Sequence, residues 1–261
     1  MFGELQARAR MGRFFFRSKS RELFMPILLA IEAAADGCSV ALTLGDESIL
    51  TRFEQAPRMH SRVLYPMLDS LLAEAGITPL DLDAVVFGKG PGSFTGLRIA
   101  AATAQGIGFG ADVPLIGVST LQSMAQQARA LNPSAQQVLT ILDARMNELY
   151  FGGYEWDEQR QLMTALCDDF IAPVALDQFP VTLNAQQCVG AGNGWALHDQ
   201  LSEGIKQAVI AQQPDLLPQA QFLLPDALSQ FAAGQLLKPE DVELVYLREQ
   251  SHWKTIKEQK Q

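Results

Sequence analysis

The residues with the most chemical promise form one run, Gly88-Lys89-Gly90-Pro91-Gly92-Ser93-Phe94-Thr95-Gly96-Leu97-Arg98. Glycines let a backbone approach an anion closely, and free N–H groups at a helix N-terminus favour negative charge. Lys89, Gly90, Gly92, Ser93 and Arg98 are therefore candidates for an anion- or nucleotide-binding loop. The order G-x-x-x-x-G-K-[ST] of a phosphate loop is absent. The same run also reads as a strand-to-helix turn capped by Ser93. Asp143-Ala144-Arg145-Met146-Asn147-Glu148 sets acids beside an arginine, which reads as a surface turn with an ion pair. His60, His198 and His252 lie far apart, and no H-x-x-x-H or H-E-x-x-H occurs. Cys38, Cys167 and Cys188 are odd in number and form no C-x-x-C, which argues against a disulfide framework or a zinc knuckle.

The elements that must position these residues follow from periodicity. Ile27–Ile31, Ser39–Leu44 and Ile49–Phe53 read as short strands joined by turns at Asp36-Gly37 and Gly45-Asp46, an antiparallel meander. Val63, Leu64, Met67, Leu68, Leu71, Leu72 and Ala75 then recur at helical spacing, with Gly76 as the stop and Pro66 as a kink or a limit on the start. Asp83–Phe87 reads as a buried strand, Phe94–Phe109 as a helix, Leu115–Val118 as a strand and Thr120–Ala130 as a helix. Val138–Asp143 and Leu149–Tyr154 read as strands.

Within the helix after the glycine loop, Gly96, Ala100, Ala104 and Gly108 recur every four residues and share one nearly bare face. Glycine inside a helix costs roughly 0.5–1 kcal/mol relative to alanine, so such a face needs a close neighbour. Two readings stand: packing on this chain's own sheet, or a helix–helix seam with a second chain. In the second, Leu64, Met67, Leu68 and Leu71 supply the large partners.

Antiparallel strands followed by strand–helix units is the order of the ribonuclease-H-like fold that underlies the actin, sugar-kinase and Hsp70 ATPase superfamily. An α/β protein of that fold with two lobes is the expectation. The N-terminal lobe is assigned to 25–154. A smaller lobe follows over 155–261, with strand-like Val181–Leu183 and Gln187–Val189, a Gly-Ala-Gly-Asn-Gly turn at 190–194 and a helix near Ala227–Leu237. In kinase-like members the first strand ends in an aspartate followed by small hydroxyl or glycine residues. Here Glu32-Ala33-Ala34 keeps a longer carboxylate and offers no hydroxyl, which weakens a catalytic phosphate site.

Composition narrows the function classes. The chain has 261 residues, 48% hydrophobic and 19% charged, with a net charge of −9. That is a folded composition, and a poor one for gripping nucleic acid alone. Residues 1–24 carry six basic and two acidic residues, so the rest of the chain carries −13. This Arg-rich segment resembles a transit peptide, although a start at Met25 is the plainer reading. No run of about 18 apolar residues is present, and a cytoplasmic protein with no membrane partner is expected. Trp253, with Lys254, Lys257 and Lys260, reads as a frayed basic tail.

Several spaced segments together resemble the TsaB (YeaZ) family. They are the run at 27–32, GPGSFTGLRI at 90–99, GVSTLQSMAQ at 117–126, LDARMNELYF at 142–151, VYLREQ at 245–250 and Trp253-Lys254. The resemblance spans about Met25 to Lys254. It implies a bacterial, two-lobed, actin-like protein serving synthesis of N6-threonylcarbamoyladenosine in tRNAs that read codons starting with A. A TsaC-type enzyme makes threonylcarbamoyl-AMP, and TsaD transfers the group with the help of TsaB and the ATPase TsaE. TsaB is implied to be TsaD's non-catalytic paralogue, pairing with TsaD or with itself through N-lobe helices, and meeting tRNA only through the complex. TsaD carries two metal-binding histidines in a segment similar to G-V-N-H-L-E-G-H. Thr120 and Met124 stand at those positions here, and neither replaces an imidazole as a ligand for a hard-to-borderline divalent metal. The chain alone is thus expected to bind no cofactor, with ATP or ADP and a metal left to TsaD or the shared interface. The alternative is an independent actin-fold ATPase or phosphotransferase, or a glycoprotease-like metallopeptidase.

Overall fold

The computed structural model describes residues 25–46 and 48–248. The expectations for residues 1–24, His252, Trp253 and the lysine tail lie outside them. Two sheets form the frame. The first has the order β3-β2-β1-β4-β5, from β1 (Leu28–Glu32), β2 (Gly37–Thr43), β3 (Ile49–Gln55), β4 (Ala84–Gly90) and β5 (Leu115–Ser119). β1, β2 and β3 are antiparallel neighbours, while β4 and β5 run parallel to β1. The second sheet uses β6 (Gln137–Arg145), β7 (Glu148–Asp157), β8 (Leu162–Ala165), β10 (Cys188–Ala191) and β11 (Ala211–Gln213), with β9 (Phe170–Pro173) also pairing β7. Its order is β8-β7-β6-β10-β11, antiparallel across the first three and parallel across the last two. Each lobe thus carries the same ribonuclease-H-like strand pattern, the duplicated architecture of the actin-like ATPase fold. No sequence repeat announces it.

The first sheet is buried on both faces, which explains the continuous apolar run of β1. Leu29 and Ile31 face one core with α1 (His60–Ala75) and α2 (Phe94–Ala111), and Leu28 and Ala30 face another. α1 runs through Pro66 and ends at Gly76 in the left-handed conformation. α3 (Thr120–Leu131) covers the second sheet through Leu121, Met124, Ala125 and Ala128. Trp195 fills the opposite face, its indole N–H donating to the Leu139 carbonyl at 3.3 Å.

The lobe boundary differs from the expected break at 154/155. β6 and β7 pair with β10 and β8, so they belong to the second lobe, and the first sheet ends at Ser119. The chain later returns to the first lobe. A 3-10 turn at Ala220–Leu223 and α5 (Leu224–Ala232) bury Leu223, Leu224 and Ala227 against the first sheet, and Leu237 bridges to Leu115. α4 (Glu203–Lys206) is a single turn. Val181–Leu183 forms no strand. A local pattern shows that β6 and β7 are strands, but not which sheet accepts them.

Candidate functional site

Between the lobes, the end of β1 meets the glycine loop. Ser93 caps α2 by accepting the Gly96 N–H, and its own N–H donates to the Ala34 carbonyl at 2.6 Å. A Cβ on Gly96 would lie 1.9 Å from the Ala33 carbonyl oxygen, and one on Gly92 would lie 2.5 Å from that of Ala34. The glycines therefore admit this chain's own backbone. The Ser93 N–H that could meet an anion is taken by the Ala34 carbonyl, at the edge of the open cleft between the lobes.

Glu32, at the end of β1, is fully buried. Its carboxylate accepts the Ala34 N–H at 2.7 Å and the Thr120 hydroxyl at 3.2 Å. Only glycine fits at position 88, where a Cβ would lie 2.2 Å from a Glu32 oxygen. Burial pushes the Glu32 carboxyl up to about 7, against the pull of those hydrogen bonds. Beside it, Ser119 donates to Asp169 at 2.7 Å, and the Tyr154 hydroxyl donates to the same carboxylate. Burial raises Asp169, while the two hydrogen bonds and the nearby Lys89 charge oppose the rise. Burial, with the Asp169 charge second, holds the Tyr154 hydroxyl well above its ordinary value. These bonds join the end of β5 to the second lobe.

An actin-like fold implies a nucleotide with its metal in this cleft. The residues here do not fit that group. Ala33 and Ala34 offer no hydroxyl, the Ser93 N–H is taken by the Ala34 carbonyl, both Glu32 oxygens are engaged, and Thr120 and Met124 are buried. Among the described residues, no three His, Cys, Asp or Glu side chains gather to hold a metal. Of the five loop candidates, Lys89 turns towards Asp169, Gly90, Gly92 and Ser93 serve the turn, and Arg98 stands outside it. His60 is buried on the Ala35 carbonyl at 2.8 Å, and His198 is exposed. Arg145 pairs with Asp143 at 3.0 Å in the expected turn, and Glu148 pairs with Arg248.

The expected partner seam is corrected. Leu64, Met67, Leu68 and Leu71 lie in the first core, as do Ala100 and Ala104. Gly96 lies against Ala33, and Gly108 against Leu115 and Pro239. All eight are therefore buried within this chain, which is the packing alternative. The opposite faces of the same helices carry exposed residues. Arg98, Ala102, Gly106 and Gly110 recur every four residues on the exposed side of α2. The sequence carried this second stripe, but α2 is apolar nearly all round, so its inner and outer faces look alike. Between α1 and α2 lies a groove of about 410 Å³ walled by Ser61, Tyr65, Phe94, Arg98, Ile99 and Ala102. A second cleft of about 480 Å³ opens between the lobes, lined by Asp36, Phe94, Arg98, Arg145, Tyr246 and Arg248.

This architecture has known relatives. The chain is 37% identical to the tRNA threonylcarbamoyladenosine biosynthesis protein TsaB of Escherichia coli over 230 residues, 88% of this chain and 97% of that protein. It is 35% identical to the Haemophilus influenzae TsaB, over 88% of this chain and 96% of that one.

The chain belongs to the TsaB (YeaZ) family.

The structure of YeaZ from Pseudomonas aeruginosa agrees, with a TM-score of 0.78 and 35% identity, covering 85% of this chain and 100% of that one. The family model of TsaD, tRNA N6-adenosine threonylcarbamoyltransferase, matches residues 52–259. TsaB-family membership places the chain in tRNA threonylcarbamoyladenosine biosynthesis. No helix among the described residues is long and apolar enough to cross a membrane.

Proposed function

We propose that this TsaB-family chain is a non-catalytic subunit that binds and activates TsaD, and acts with TsaE in threonylcarbamoyl transfer to tRNA in the cytoplasm. The observation that carries this reading is the α1–α2 face, exposed among the described residues. Tyr65 and Phe94 are half exposed there, beside a stripe of small residues that admits a close backbone. A stable interface buries roughly 1,200–2,000 Å² in all, about the scale of two such helix pairs meeting. Because TsaD's family model also matches this chain, TsaD offers a similarly folded partner surface, and a second copy offers the same. In this reading the chain alone holds neither nucleotide nor metal, and tRNA is met only through the complex. The Ser93 N–H taken by the Ala34 carbonyl and the fully engaged Glu32 support the non-catalytic part.

The test is tRNA threonylcarbamoylation by purified TsaC, TsaD and TsaE, with and without this chain, read as modified adenosine by mass spectrometry. Dependence on the chain is expected. ATP turnover by the chain alone that Glu32→Ala abolishes would favour the independent-enzyme reading instead.

A further inference from the structure

Arg98 is the one charged residue among the described residues that line the α1–α2 groove. Its guanidinium lies over the Phe94 ring, 3.6 Å from the centroid, and 5.9 Å from that of Tyr246. Phe94 and Tyr246 themselves meet with centroids 5.6 Å apart. The Arg98 Nε donates to the Tyr246 hydroxyl at 3.2 Å. Its two terminal nitrogens meet no acceptor among the described residues, and no carboxylate pairs with it. Tyr246 is held in turn, because the Val245 N–H donates to the Lys89 carbonyl at 2.8 Å and Arg248 bonds the Ala144 carbonyl at 3.1 Å. A segment from the far end of the chain thus fixes an exposed arginine at the wall of an apolar groove, in a chain whose net charge is −9.

We propose that Arg98, held by Phe94 and Tyr246, is the polar anchor of the partner face and takes a side-chain carboxylate from the partner protein. A guanidinium fixed at Nε has lost part of the conformational freedom it would lose on binding, and it presents two parallel donors that match a carboxylate. The groove around it is lined by Tyr65, Ile99 and Ala102, which suits a helix with an acidic residue better than a polyanionic RNA backbone. Tyr246 is then a positioning residue. This inference rests on the α1–α2 reading and adds to it the chemistry of the partner's contact.

The experiment is calorimetric titration of the full chain with TsaD at two salt concentrations. Arg98→Ala should weaken binding by at least about tenfold, the scale of a charge-assisted bond. Arg98→Lys should recover only part of that, since it keeps the charge and loses the fork. Tyr246→Phe keeps the ring and removes the hydroxyl. It should weaken binding about threefold in the wild-type background and have no effect beside Arg98→Ala, the signature of acting through one group. Added salt should weaken the wild type more than Arg98→Ala. Ala102→Trp, on the exposed side of α2, should abolish binding in a folded chain. If Ala102→Trp binds normally, the α1–α2 reading fails and this inference with it. If Ala102→Trp blocks binding while Arg98→Ala and Arg98→Lys stay within twofold of wild type, only the anchor is overturned. Weakened RNA binding by Arg98→Ala with unchanged TsaD binding would also overturn it.

Discussion

Glu32→Gln tests the buried carboxylate at the heart of the cleft. Glu32 is fully buried, and its carboxyl is raised from the ordinary 4.5 to about 7 by desolvation. Between those two values the folded chain holds a proton that the unfolded chain has released. Stability therefore falls as pH rises from about 4.5 to about 7 and then levels off. At roughly 1.4 kcal/mol per pH unit, the loss across that window is about 3 kcal/mol. Glutamine keeps an acceptor for the Ala34 N–H and carries no charge at any pH. Relative to wild type, Glu32→Gln should gain about 3 kcal/mol between pH 4.5 and pH 7.5, on the same arithmetic. The assay is urea denaturation at four pH values in that range. Asp169 is also raised, but it is present in both proteins and its contribution cancels in the difference. Parallel stability curves for the two proteins would show that Glu32 titrates normally and refute the reasoning.

Three further outcomes follow from the packing. Gly96→Ala places a methyl 1.9 Å from the Ala33 carbonyl, so it should destabilise the chain by about 1–3 kcal/mol in chemical denaturation. Gly106→Ala meets nothing within 4 Å, so it should raise the melting temperature of the isolated chain, by a stabilisation of about 0.5–1 kcal/mol. Trp195→Ala empties a fully buried site in the second lobe and should cost about 3–5 kcal/mol by the same measurement.

The first lobe was legible because its periods are clean. The meander Leu28–Gln55 is punctuated by Asp36-Gly37 and Gly45-Asp46, and α1 shows its buried face in Leu64, Met67, Leu68 and Leu71. The second lobe hid its architecture for physical reasons. β10 and β11 are four and three residues long, too short for alternation to register, and β10 pairs with β6 across about fifty residues of chain, with β11 on its other side. The Ala220–Ala232 segment returns to a sheet laid down almost two hundred residues earlier, which no local pattern records. At the site, the glycine loop was visible but its occupant was not. In sequence Ala33 and Ala34 show only as residues without a hydroxyl, whereas their carbonyls are what Gly96 and Gly92 admit. The Arg98–Tyr246 contact joins residues 148 apart, so spacing could not suggest it.

α2 carries four glycines, and they divide into two pairs. Gly96 and Gly108 face inward, where Ala33, Leu115 and Pro239 leave no room for a methyl group. Close packing compensates them within the chain. Gly106 and Gly110 face outward, with nothing near the position of a Cβ. Together they cost the helix about 1–2 kcal/mol relative to alanine, and no contact among the described residues offsets that. A partner backbone seated on this face would offset it, because only glycine allows so close an approach. The two effects then carry opposite signs: Gly106→Ala should stabilise the isolated chain and weaken TsaD binding. A variant that is more stable and binds equally well would remove close backbone approach as the reason for these glycines.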